Sequence, residues 1–104
     1  MLVQINTDKN IEGSSRFNDF FTEEINNTLE RFDAIVTRVE VHISDENGSK
    51  PGTNDKKCVI EARVEKKQPL VVTAFADTTE KVFFAALEKI ERALDATLEK
   101  IKEH

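Results

Sequence analysis

The sequence predicts an α+β domain with element order β-α-β-β-β-α, a four-stranded sheet carrying two helices on one face. Three observations predict it. A short alternating run opens the chain, two apolar stripes recur at helical spacing, and residues 39 to 75, "VEVHISDENGSKPGTNDKKCVIEARVEKKQPLVVTAF", alternate, break into a polar stretch, and alternate again. At 104 residues the chain has the size of one ordinary domain, so residues 1–104 are read as a single unit with one modest core.

Each element has its own justification. "LVQINT", Leu2 to Thr7, places Val3 and Ile5 on one side of a short strand. In "SSRFNDFFTEEINNTLERF", Phe17, Phe21, Ile25, Thr28 or Leu29, and Phe32 form a helical stripe, with Ser14 or Ser15 as N-cap. From Ile35 to Ile43, alternation predicts Ile35, Thr37, Val39, Val41 and Ile43 on one face, with Val36, Arg38, Glu40 and His42 on the other. From Lys57 to Glu65, Cys58, Ile60, Ala62 and Val64 point inward. "EKKQP" makes the next turn, because Pro69 cannot donate to a ladder and suits the first position of a strand. Leu70 to Ala76 is apolar on both faces, so periodicity leaves its inward side open. Asp77 and Glu80 suggest a capping box for a long helix whose stripe runs through Phe83, Ala86, Leu87, Ile90, Leu94, Thr97 or Leu98, and Ile101. A strand-helix-strand crossover requires the first two strands to be parallel, and the later strands to follow as antiparallel hairpins. Both helices then cover one face and leave the other to solvent.

Composition narrows the function. No run approaches the 18 apolar residues expected of a membrane span, and no basic-then-apolar leader opens the sequence, so a cytoplasmic protein is expected. The lone Cys58 cannot form an internal disulfide. Net charge is −5, distributed as −4 over residues 1 to 34, +1 over 35 to 68 and −2 over 69 to 104. A polyphosphate partner is normally met by clustered Lys and Arg, so a nucleic-acid role must rest on a local patch.

The polar stretch fails as a calcium loop: counted from Asp45, glycine stands fourth rather than sixth, and Lys56 occupies the twelfth position where glutamate is needed. It reads as a hairpin tip. His42 lacks a second histidine or cysteine placed to join it, His104 being the last residue. Cys58 falls on the inward face as a core filler, and Glu61 and Glu65 read as partners in cross-strand ion pairs with Arg38, Arg63 and Lys57. No phosphate loop, Ser-His-Asp set or Cys-x-x-Cys appears, so no cofactor is expected and an enzyme, such as a hydrolase using His42, is the weakest reading. Surfaces remain: an open sheet face, an acidic first helix, and a second helix carrying Lys81, Lys89, Arg92, Lys100 and Lys102 among Glu88, Glu91, Asp95 and Glu99. That helix is either laced by pairs such as Glu88 with Arg92 or an RNA-facing edge.

Nearly the whole chain resembles the short ribosome hibernation-promoting factors, also called ribosome-associated inhibitors or sigma-54 modulation proteins. "VQINTDKNIE" is similar to that family's opening strand, "LERFDAIVTRVEVHIS" to its helix end and second strand, and "LEKIERALDATLEKIKEH" to its closing helix. The resemblance implies a domain shaped like double-stranded RNA-binding domains. It implies a stress or stationary-phase factor that occupies the messenger and transfer RNA channel of the small ribosomal subunit and silences translation there. Lys89 and Arg92 match the family's basic pattern, Lys100 and Lys102 follow on later turns, and Lys56 and Lys57 at the hairpin base are secondary rRNA-binding candidates. Where the family usually carries a basic run late in this helix, the chain has "DATL" at 95 to 98. The rival reading is a protein-binding module of the same fold without the RNA site. Its acidic first helix would meet a basic partner, or Val36, Val59 and Val71 or Phe75 on the open sheet would form a weak homodimer.

Overall fold

The computed structural model describes residues 1–9, 11, 14–46 and 55–102. His104 and the polar stretch read from sequence as a hairpin tip, with Gly48, Pro51 and Gly52, lie outside the described residues. Strand β1 (Leu2–Thr7) leads to helix α1 (Ser14–Thr28) and a single 3-10 turn (Glu30–Phe32), followed by β2 (Val36–Asp45), β3 (Lys56–Val64), β4 (Leu70–Ala76) and helix α2 (Thr79–Lys102). The predicted order therefore holds. The sheet order is β1-β2-β3-β4, with β1 parallel to β2 and the two later pairs antiparallel.

One face of the sheet is sealed by the helices. Phe21, Ile25 and Leu29 from α1 and its end, and Val82, Phe83, Ala86, Leu87, Ile90 and Leu94 from α2, are buried against Val39, Val41, Ile43, Cys58, Ile60, Ala62 and Ala74. Each large side chain buried this way contributes about 1.5–3 kcal/mol relative to exposure. Phe21 and Phe83 stack at 3.8 Å between ring centroids and 13° between planes, joining the two helices where they cross the sheet.

The structure changes three local expectations. A register shift between Val36 and Arg38 reverses the alternation at the start of β2. Val36 is buried at 1 % exposure and Thr37 faces outward, while Ile35 precedes the strand. An extra residue at a bulge flips the faces on one side of it, which a strict period-two reading cannot register. The N-cap of α2 is Thr78, whose Oγ1 accepts the Lys81 backbone N–H at 3.1 Å; Asp77 instead pairs with Lys81 at 3.3 Å. Helix α1 already includes Ser14 and Ser15, so neither stands in the flanking cap position.

The third change concerns the charges on the open face. Register sets Glu40 opposite Glu61 and Arg38 opposite Arg63, so like charges meet across the strands. Compensation runs along each strand instead: Arg38 donates to Glu40, and Arg63 lies 3.6 Å from Glu61. Arg38 also reaches Gln4 on the neighbouring β1. The hydrogen bond from Arg38 is the main reason that the Glu40 carboxyl lies below the usual range, against a partial desolvation that would raise it.

Candidate nucleic-acid interface

Helix α2 decides where the predicted cations lie. It starts beside the end of β4 and runs back along the sheet: Lys89 reaches Thr73 in mid-strand, and Asp95, further on, meets Arg31 in the 3-10 turn. Residues 100 to 102 are therefore at the end of the molecule opposite Lys56, which pairs with Ala76 just before α2 begins. The helix of 24 residues spans about 36 Å, so the six candidates do not form one patch.

Four of the six are already engaged. Lys56, with a side chain only 19 % exposed, lies 3.4 Å from Asp45 and 3.3 Å from Asp55. Partial burial opposes its charge, but the Asp55 hydrogen bond and the neighbouring carboxylates prevail and hold its pKa above the usual lysine value. Lys57 sits 3.8 Å from Glu46 and 6.0 Å from the centre of the Phe75 ring. The Lys89 ammonium donates to the Thr73 carbonyl at 2.8 Å, covering an edge-strand acceptor. Arg92 pairs with Glu88 one turn earlier.

Lys100 and Lys102 differ. Both are exposed in the last turn of α2, and neither makes an ion pair among the described residues. Their charges also suit the negative end of the helix dipole. The turn between β3 and β4 lies at this same end and adds Lys66 and Lys67, which sequence reasoning treats only as turn residues. Both are exposed, and Lys66 adopts a φ of 64°, the left-handed conformation that favours glycine. The adjacent lysines of "EKKQP" are the signal that could have found them.

Asp95, within "DATL", has a structural task. Arg31 donates to both its carboxylate oxygens, reaches Glu91 at 3.5 Å, and lies 4.2 Å from the centre of the Phe32 ring. The Arg31 hydrogen bonds lead in holding the Asp95 carboxyl below the usual range; Lys102 adds a weaker pull. A bidentate pair thus ties the 3-10 turn to α2.

The other sequence candidates are scattered. His42 is exposed on the open face, 3.8 Å from Glu40. Cys58 is fully buried, and burial pushes its thiol up to about 12. Among the described residues no group of three or more His, Cys, Asp or Glu side chains is arranged to hold a metal, and no helix is long and apolar enough to cross a membrane.

These features define an α+β domain, a four-stranded sheet covered on one face by two helices, with charged side chains along its margins. Residues 4–103 match the sigma 54 modulation protein / S30EA ribosomal protein family, and the chain belongs to that family. Its fold is similar to the N-terminal domain of Protein Y from Thermus thermophilus, with a TM-score of 0.72 and 11% identity, over 93% of this chain and 99% of that one. It is also similar to a ribosomal subunit interface protein from Coxiella burnetii, with a TM-score of 0.62 and 15% identity, over 95% and 99% of the respective chains. No curated protein sequence matches significantly.

Proposed function

We propose that this chain is a cytoplasmic, ribosome-associated factor that binds the small subunit and silences translation by occupying the channel for messenger and transfer RNA. Family membership supports the ribosomal partner. The observation that carries the binding mode is the set of exposed lysines at one end: Lys66, Lys67, Lys100 and Lys102, none paired with a carboxylate among the described residues. Such cations release counterions when they meet phosphate, whereas a lysine already paired to Asp must first break that pair. The overall charge of −5 is compatible with this role if the acidic surfaces face away from RNA. Lys100 and Lys102 are therefore kept as primary contacts, and Lys66 and Lys67 join them. Lys89 and Arg92 would contribute only after exchanging existing partners, and Lys56 and Lys57 become structural.

The homodimer reading meets a divided surface: with Val36 turned inward, the apolar residues of the open face are Leu2 on β1 and Val59, Val71 and Phe75 on β3 and β4, with Arg38 and Glu40 on β2 between them, and the Lys89 ammonium occupies an acceptor on the β4 edge. The deciding measurement is sedimentation with small ribosomal subunits through a sucrose cushion, from low to physiological salt. Association that weakens steeply with salt and is displaced by messenger RNA or initiator transfer RNA is expected. Absence of association at every salt concentration would refute the proposal.

A further inference from the structure

A second surface lies away from the lysine end, where α1 and the start of α2 run together. Phe17 stacks on Phe21 at 5.2 Å, Phe21 on Phe83 at 3.8 Å, and the outer rings Phe20 and Phe84 meet edge to face at 6.1 Å. Each outer ring rests on its buried sequence neighbour, Phe20 on Phe21 at 5.6 Å and Phe84 on Phe83 at 5.2 Å. Yet Phe20 remains 43 % exposed and Phe84 41 % exposed. Beside them is a recess of about 280 Å³ lined by Arg16, Phe17, Phe20 and Glu80. That is slightly below the usual range for small-ligand pockets, ~300–1,000 Å³, and suits one inserted side chain better than a cofactor.

The rim identifies the occupant. Glu23 and Glu24 lie one turn beyond Phe20, and Glu80 lies one turn before Phe84. None of the three makes an ion pair among the described residues. Of the nearby cations, Lys81 pairs with Asp77 at 3.3 Å, whereas Arg16 lies 5.8 Å from the centre of the Phe17 ring and keeps its charge beside the recess. Against that one cation stand Glu23, Glu24 and Glu80, so the surroundings are acidic on balance and disfavour phosphate and anionic lipid. A two-fold dimer through this face would bring two acidic rims together. We propose that this groove docks a basic peptide segment carrying one apolar anchor side chain, with Phe20 and Phe84 contacting the anchor and Glu23, Glu24 and Glu80 contacting the flanking Lys or Arg. The site is separate from the lysine end and does not depend on the ribosomal reading.

The test uses the full chain and fluorescence anisotropy with three labelled probes: a lysine-rich dodecapeptide with one central Leu, the same peptide with Ser in place of Leu, and a single-stranded RNA dodecamer. The Leu peptide binds, Leu-to-Ser replacement weakens it by about tenfold, and Phe20→Ala or Phe84→Ala has a similar effect. Because both rings are partly exposed, circular dichroism should show these variants folded. Glu24→Gln with Glu80→Gln, which removes charge but little packing, should also weaken the peptide and flatten its salt dependence. Lys100→Ala with Lys102→Ala should leave peptide binding unchanged, separating this groove from the RNA site. Equal binding of the Leu and Ser peptides, indifference to Phe20→Ala, or an RNA signal abolished by Phe20→Ala would overturn the proposal.

Discussion

The two ends of α2 place one helix in opposite surroundings. At its start, Phe83 is fully buried against Phe21, and the exposed Phe84 has Glu80 and Glu88 one turn away on either side, with Lys81 paired to Asp77. In its last turn, Lys100 and Lys102 extend into solvent with no ion pair among the described residues. Neither net charge nor a count of helix lysines therefore locates a binding surface. What matters is which charges are already compensated, and by what.

The two ends should separate most widely in stability. Phe83→Ala should cost about 3–5 kcal/mol of unfolding free energy in urea melts, because it removes the stacking partner of Phe21 and leaves a cavity between the helices. Lys100→Ala with Lys102→Ala should change stability by no more than about 0.5 kcal/mol. Comparable losses at the two ends would remove the distinction between a packed start and a solvent-exposed finish.

The interior can also be titrated. Burial raises the Cys58 thiol from an ordinary 9.0 to about 12, so the folded state holds this proton more tightly than the unfolded chain. Its contribution is fully present below pH 9.0 and is lost as pH rises toward about 12. The pH dependence of unfolding above 9.0 should therefore be shallower in Cys58→Ala than in the parent, and the parent's advantage at neutral pH should shrink as pH rises. Alkylation of the native thiol at neutral pH should be slow. A fast reaction would mean that β3 opens readily beneath the helices.

Binding measurements probe the lysine end directly. Lys66→Gly removes a charge at a position whose φ of 64° glycine adopts without strain, so the change should leave folding intact. Combined with Lys100→Ala and Lys102→Ala, it should weaken small-subunit association and lower the salt slope by about one unit for each phosphate left unneutralised. Lys56→Ala should chiefly affect stability, since its ammonium is held between Asp45 and Asp55. The reverse ranking in sedimentation would return the interface to the hairpin base.

Much of the fold was legible because burial imposes a period. The inward sets of β1, β3 and α2, and the element order, follow from alternation and helical spacing alone. What periodicity could not carry was register: the bulge at Val36 and Arg38, the like charges facing one another across β2 and β3, and the return of α2 toward the β3–β4 turn. The site suffered most, because a lysine's partners lie on other elements. One overlooked signal was local. Neighbouring residues in a helix point ~100° apart, so each Phe-Phe pair, at 20–21 and 83–84, had to turn one ring away from the buried stripe.

The smallest expected effect concerns the tie between the 3-10 turn and α2. Arg31 lowers the Asp95 carboxyl mainly through hydrogen bonding, so the pair's contribution is present above the ordinary carboxylate range and fades as pH falls through the lowered folded value. Asp95→Asn should reduce Tm slightly at neutral pH, and the difference from the parent should close in acid. Both side chains are about half exposed, so salt should narrow the same difference. If added salt leaves it untouched, Arg31 acts there through its packing on Phe32, and Arg31→Met should then preserve most of the stability that Asp95→Asn loses.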